Sequence, residues 1–314
     1  MTVAARDEAA YVLRPWAGAR PEAPDWFRAA VANAGEPLEV IVESARIDAR
    51  CWGQKGLPGI VLVHGSGAHL GWWDFLAPLL ADRYRVVALS LSGMAGRSDW
   101  RSGYSMALYQ AEILAAAKAG GLYEAGPPVA IGHSMGGTPV LHLAAREDRP
   151  IGGAVIVDTA LPLLTGKRGL LRPPGRIYPT LDEALAHFRF APVQPCTHAW
   201  IADHLARAAL RPVEGGWTWR FDPDVWATLE PGDVRGALAS PQVPLAIVRG
   251  ALSDLTGGVA AEEMRRIAPA GTPFLEVPRA YHHVMVDQPL LLLSILRSLI
   301  ERGADHPISA GRAL

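Results

Sequence analysis

Residues 130–137 read AIGHSMGG, which sets Ser134 between Gly132 and Gly136 directly after an apolar run. A serine hydroxyl is a weak nucleophile at neutral pH. It becomes a strong one when a histidine takes its proton and a carboxylate fixes that histidine's tautomer. The chain offers both partners. His282 and His283 stand side by side in YHHVMVDQP, and Asp158 and Asp254 each follow an apolar run. The pattern G-x-S-x-G also has a mechanical meaning. It marks a sharp turn from strand to helix that strains the serine backbone, exposes its Oγ, and uses the glycines to let backbone pass close by. The competing use of such a serine is to fill a turn or cap a helix.

The elements around Ser134 are those the turn requires. PVAI before it reads as a strand and MGGTPVLHLAA after it as a helix. The same rhythm runs along the chain. PLEVIVES and ARIDARCWG alternate like a hairpin, and GIVLVHG, YRVVALS, GGAVIVD and PLAIVRG are apolar runs suited to strands buried on both faces. GWWDFLAPLLAD, residues 105–119 and a stretch near VAAEEMRRIAP have helical spacing between them, and TPFLEVP precedes a long C-terminal helix. Strands alternating with helices predict an α/β fold with a mostly parallel central sheet and crossover helices.

Residues 158–244 break the rhythm. They hold LDEALAHFRF, CTHAWIADHLARAAL and GWTWRFDPDVW, with helical pieces and aromatic turns but no buried-strand run. A compact domain seldom carries so long an irregular loop. We therefore expect a helical cap at 158–244, inserted into a core of residues 36–157 and 245–314, with residues 1–35 as an N-terminal arm.

Bulk composition narrows the class. In 314 residues, half are apolar and 19% charged, and the formal net charge is −1, so neither nucleic acid nor an anionic membrane is an expected partner. Cys51 and Cys196 form no CxxC and no disulfide framework. The first residues, MTVAARDEAAYVLRPW, place acids where a secretory signal needs an apolar core. PLLLLSILRSLI is too short to span a bilayer and contains Arg297. The expectation is a cytoplasmic protein with a small, hydrophobic molecule as substrate; homo-oligomerisation is left open.

Several motifs in order, from about residue 36 to the C-terminus, resemble those of the capped α/β-hydrolases with a serine nucleophile. LVHGSGAHLGWW (62–73) resembles the family's His-Gly oxyanion loop, and GMAGRSD (93–99) its Gly-x-Gly-x-Ser-Asp loop. RGALSD (249–254) resembles the acid-bearing turn and YHHVMVDQP (281–289) the histidine loop. The resemblance implies a Ser-acid-His order. It points to His282, seven residues before Pro289, as the base, and to Asp254 as the acid, with Asp158 as the alternative position. It implies oxyanion donors at the backbone N–H groups of Met135 and Ser66. Two residues depart from the family pattern: Ser90 stands where an Asp is usual, and Ala95 is inserted in the glycine turn. Both bear on loop shape.

The chemistry implied is hydrolysis of an ester, lactone or thioester through an acyl-serine, with no cofactor and no metal. Carbon–carbon hydrolysis of a diketone on the same three residues, or a low-turnover ligand receptor of this fold, are the alternatives. Trp73, Trp200 and His283 are the expected pocket residues, chosen for aromatic surface near the motifs.

Overall fold

The computed structural model describes residues 10–161 and 175–305. The N-terminal end of the arm (1–9), residues 162–174 of the expected cap, and residues 306–314 lie outside the described residues. Ten strands are present among them: β1 (Glu36–Val42), β2 (Ala45–Trp52), β3 (Gly59–Val63), β4 (Arg85–Leu89), β5 (Val129–His133), β6 (Gly153–Val157), β7 (Leu210–Val213), β8 (Gly216–Trp219), β9 (Leu245–Gly250) and β10 (Phe274–Val277).

Eight of them form one sheet in the order β1-β2-β4-β3-β5-β6-β9-β10. The β1–β2 hairpin joins antiparallel at one edge, and β2 pairs antiparallel with β4. Every pair from β4 to β10 is parallel. The central strands are buried along their whole length, which is why they read as unbroken apolar runs. Alternation still sorts their side chains. Ile60, Leu62, Val86 and Ala88 join the core on one face of the sheet, while Val61, Val63, Val87 and Leu89 join the core on the other.

The C-terminal helix Pro289–Asp305 packs Leu292 and Leu296 into the first core, both fully buried. Truncating one of these to Ala costs about 2–5 kcal/mol. Leu290 and Leu291 face outward, and among the described residues no helix is long and apolar enough to cross a membrane.

Between β6 and β9 the chain leaves the sheet. The described part of this segment holds the helices Leu181–Ala186, Ala199–Ala209, Val225–Thr228 and Val234–Ala239. It also holds a hairpin, β7–β8, where the sequence reading expected only helices and aromatic turns. Pro212 and Arg211 interrupt any apolar pattern in β7, and no residue of GWTW in β8 is fully buried. Pairing is supplied locally: Tyr178 and Trp217 exchange two backbone hydrogen bonds of 2.8 Å on the outer side of the hairpin.

The segment is tied down at defined points. His69 Nε2–H donates to the Leu205 carbonyl at 3.0 Å, and His204 Nε2 lies 2.8 Å from Asp74 Oδ1. The arm straps it from outside. Phe27, on the arm helix Asp25–Ala32, meets the Trp200 ring at 4.6 Å between centroids, and Arg207 Nη2 donates to the Gly18 carbonyl at 2.7 Å.

Candidate active site

Strand β5 runs into a 3₁₀ turn, Ser134–Gly136, and then into the helix Gly137–Ala144. Ser134 sits at φ 53°, in the left-handed region that a non-glycine residue occupies only under local constraint. The glycines of the motif explain how. A Cβ on Gly136 would stand 2.2 Å from the His64 carbonyl oxygen, and one on Gly132 would stand 2.4 Å from the Gly136 carbonyl oxygen. Neither position has room for any side chain, so the turn can close only with glycine at both.

The Ser134 hydroxyl lies 2.9 Å from His282 Nε2. On the other side of that ring, Nδ1–H donates to Asp158 Oδ1 at 2.8 Å. The three side chains form one hydrogen-bonded chain, with the tautomer fixed so that Nε2 presents its lone pair to the serine.

The carboxylate is not that of Asp254. Asp254 is exposed on the turn after β9 and makes no hydrogen bond to His282. Asp158, the alternative position, is buried at the end of β6 with φ 49°. Three further donors converge on it: the Gly250 N–H at 2.7 Å, the Ser253 hydroxyl at 2.6 Å and the Thr256 hydroxyl at 3.0 Å. The turn expected to carry the acid instead supplies donors to a carboxylate from the neighbouring strand. Four hydrogen bonds offset the burial of this charge.

The loop bearing His282 is held on both sides. The Tyr281 N–H donates to Asp287 Oδ2 at 2.7 Å, and the His283 N–H to Gln194 Oε1 at 2.9 Å. Gln194 Nε2 in turn donates to the Asp287 carboxylate at 3.0 Å. The His282 carbonyl accepts from His133 Nε2–H at 3.0 Å. Gln194 and Asp287 were not singled out as site residues by motif, because each acts through backbone groups whose position only the fold reveals. Burial pushes the Asp287 carboxyl up to about 6, against the lowering effect of its bonds to Tyr281 and Gln194.

The loop after β3 approaches the serine closely. A Cβ on Gly65 would lie 3.0 Å from Ser134 Cβ and 3.1 Å from His133 Nδ1. The Gly67 N–H points to Met94 Sδ at 3.3 Å. His64 has a supporting place: its Nδ1–H donates to the Gly65 carbonyl, its Nε2 accepts from the Leu91 N–H, and burial drives its pKa down to about 3. Ser90 is buried, accepts from the Leu70 N–H at 3.1 Å and reaches Asp48 at 3.3 Å. The Ala95 N–H donates to the Ala68 carbonyl at 2.9 Å. Both departures from the family pattern thus fasten the same loop.

A cavity of about 350 Å³ opens beside this machinery, lined by Ser66, Trp72, Phe188, Phe190, Trp219 and His283 among others. His283 is there as expected, but Trp73 and Trp200 are not. Trp73 is fully buried in the core. Trp72, in the 3₁₀ turn Leu70–Trp72, is the ring that faces the cavity. Trp200 packs on Trp26 and Phe27 and borders a separate cleft of about 570 Å³ that shares no lining residue with this cavity. Tyr11 also lines the inner cavity, brought there by the arm. Cys51 and Cys196 are free, and burial raises each thiol to about 11.

A sequence model described as the Alpha/beta hydrolase family matches residues 60–294. Esterase Rv0045c of Mycobacterium tuberculosis is 26% identical over 286 residues, 86% of this chain and 92% of that one. The pimeloyl-[acyl-carrier protein] methyl ester esterase of Methylococcus capsulatus is 35% identical over 136 residues, 43% of this chain and 46% of that one. Among solved structures, E-2-(acetamidomethylene)succinate hydrolase superposes with a TM-score of 0.74 at 22% identity, over 85% of this chain and 99% of that one. With the elbow and the parallel sheet in place and most of the chain matched, this protein is an enzyme of the alpha/beta hydrolase family.

Proposed function

We propose that the protein hydrolyses carboxylic ester-type bonds of a small, hydrophobic acyl substrate through an acyl-Ser134 intermediate. The observation that carries this is the hydrogen-bonded chain Ser134–His282–Asp158 beside an aromatic cavity. His282 takes the serine proton as Oγ attacks the carbonyl carbon, and Asp158 holds the resulting imidazolium. The Met135 and Ser66 backbone N–H groups receive the oxyanion; the Gly67 N–H, engaged with Met94, is excluded from that task. His282 then gives its proton to the leaving alcohol or thiol. A water, deprotonated by the same ring, releases the acid and restores the serine. The esterase names among the relatives agree with this reaction. The inserted segment acts as a cap, closing the acyl side of the cavity with Phe188, Phe190 and Trp219.

The test is labelling by a fluorophosphonate probe together with turnover of p-nitrophenyl esters. Wild type labels and turns over; Ser134→Ala does neither. Turnover that survives Ser134→Ala overturns the proposal.

A further inference from the structure

We propose that His133, His282 and His283 form a binding site for one divalent transition metal ion of the Zn²⁺, Ni²⁺ or Cu²⁺ type, and that the ion arrests turnover by capturing His282. One ring nitrogen from each of the three lies within 4.8 Å of the other two. All three residues are more than nine-tenths buried, and their ring centroids are 4.9, 5.6 and 4.8 Å apart.

The hydrogen bonds decide which nitrogens are open. His133 spends its Nε2–H on the His282 carbonyl, so its Nδ1 keeps a bare lone pair, and that atom has no partner. His282 spends its Nδ1–H on Asp158, so its Nε2 lone pair faces Ser134. Neither nitrogen of His283 has a partner in hydrogen-bond geometry; the Pro192 carbonyl acts on the ring without meeting that geometry. Buried polar atoms without partners are rare in folded proteins, and two of the three rings carry them.

The donor set selects the ion. Three neutral imidazoles suit Zn²⁺, Ni²⁺ and Cu²⁺, and no proton has to leave for them to bind. Mg²⁺ and Ca²⁺ require oxygen ligands, and the nearby carboxylate of Asp158 already accepts four hydrogen bonds. Ligand nitrogens about 2.0–2.1 Å from a zinc ion must stand closer together than 4.8 Å. His283 provides the adjustment, since no hydrogen bond of normal geometry holds its ring. It also lines the cavity, which gives the ion its route and a water for the fourth position. Coordination consumes the Nε2 lone pair, so His282 can no longer take the Ser134 proton. The binding stands on geometry alone; the arrest rests on the hydrolase reading above.

Metal-free full-length protein is titrated with Zn²⁺, Ni²⁺, Cu²⁺ and Mg²⁺ by calorimetry, with Cu²⁺ followed by electron paramagnetic resonance. The expected result is one site per chain for the transition ions with nitrogen hyperfine structure, and none for Mg²⁺. His283→Phe and His283→Gln weaken that site roughly tenfold or more. Ester turnover by wild type falls as the site fills and returns with a chelator. Absence of a site, or affinity unchanged in both His283 variants, overturns the proposal. If the metal-free enzyme is inert on every ester yet the site fills and responds to His283, the hydrolase reading fails and the metal site stands.

Discussion

The Ser253 hydroxyl lies 2.6 Å from Asp158 Oδ1, the same oxygen that faces His282 Nδ1. A residue of the turn after β9 therefore steadies a carboxylate from the end of β6. Asp158→Asn removes the charge opposite the imidazolium and disturbs the tautomer. It should lower kcat about 10³–10⁴-fold on p-nitrophenyl esters. Asp254→Asn changes an exposed side chain and should leave kcat within about a factor of two. The opposite ranking in steady-state kinetics would reject the assignment.

Gly65 tests the oxyanion loop. The added methyl of Gly65→Ala meets Ser134 Cβ and His133 Nδ1, so the loop must retreat. A displaced donor costs about 10²-fold in kcat, with a smaller change in melting temperature. Full activity in Gly65→Ala, measured beside a thermal melt, would remove this loop from the oxyanion hole.

Gln194 links the inserted segment to the histidine loop through the His283 N–H and the Asp287 carboxylate. Gln194→Met keeps the bulk and deletes both bonds. Stability should fall by about 1–3 kcal/mol, since buried groups on both sides lose their partner. If the network aligns His282, kcat falls more than KM rises. A variant with unchanged kcat would confine Gln194 to a structural role.

Asp287 gives a pH signature. Its folded pKa of about 6 is above the ordinary 3.8, so the folded state favours the protonated form. That contribution is complete below about pH 4 and is lost as pH rises through 6. Wild type should therefore lose stability relative to Asp287→Asn between about pH 4 and pH 7, by on the order of 2–3 kcal/mol. Urea unfolding of the pair across this range measures it. A difference that does not vary with pH would show that the carboxyl titrates normally.

Ser134 was legible because its glycines mark a tight turn, and His282 was singled out from its neighbour His283 through the family resemblance, by its distance from Pro289; the structure hydrogen-bonds the two. The acid was not legible. β6 and β9 are neighbouring parallel strands, and each is followed by an acid: Asp158 directly after Val157, and Asp254 four residues past Gly250. The buried one, at a φ of 49°, is the partner of His282, and no local pattern announces that choice. The tryptophans failed for a related reason. Trp72 and Trp73 are adjacent and face opposite ways, one to the cavity and one to the core, and no local pattern tells which. The parallel sheet was legible throughout, because burial on both faces leaves an unbroken apolar run that few other structures need. The Gln194–Asp287 side-chain bond joins residues 93 positions apart, and nothing in either residue's neighbourhood advertises the other.

Tyr11 reaches the cavity from the arm, yet the family match begins at residue 60. Anyone transplanting substrate preference from this protein onto a relative, or trimming it to the family-matched portion, would discard an aromatic ring that lines the chamber. Chimaeras should therefore keep the segment that carries Tyr11 together with the cavity it lines.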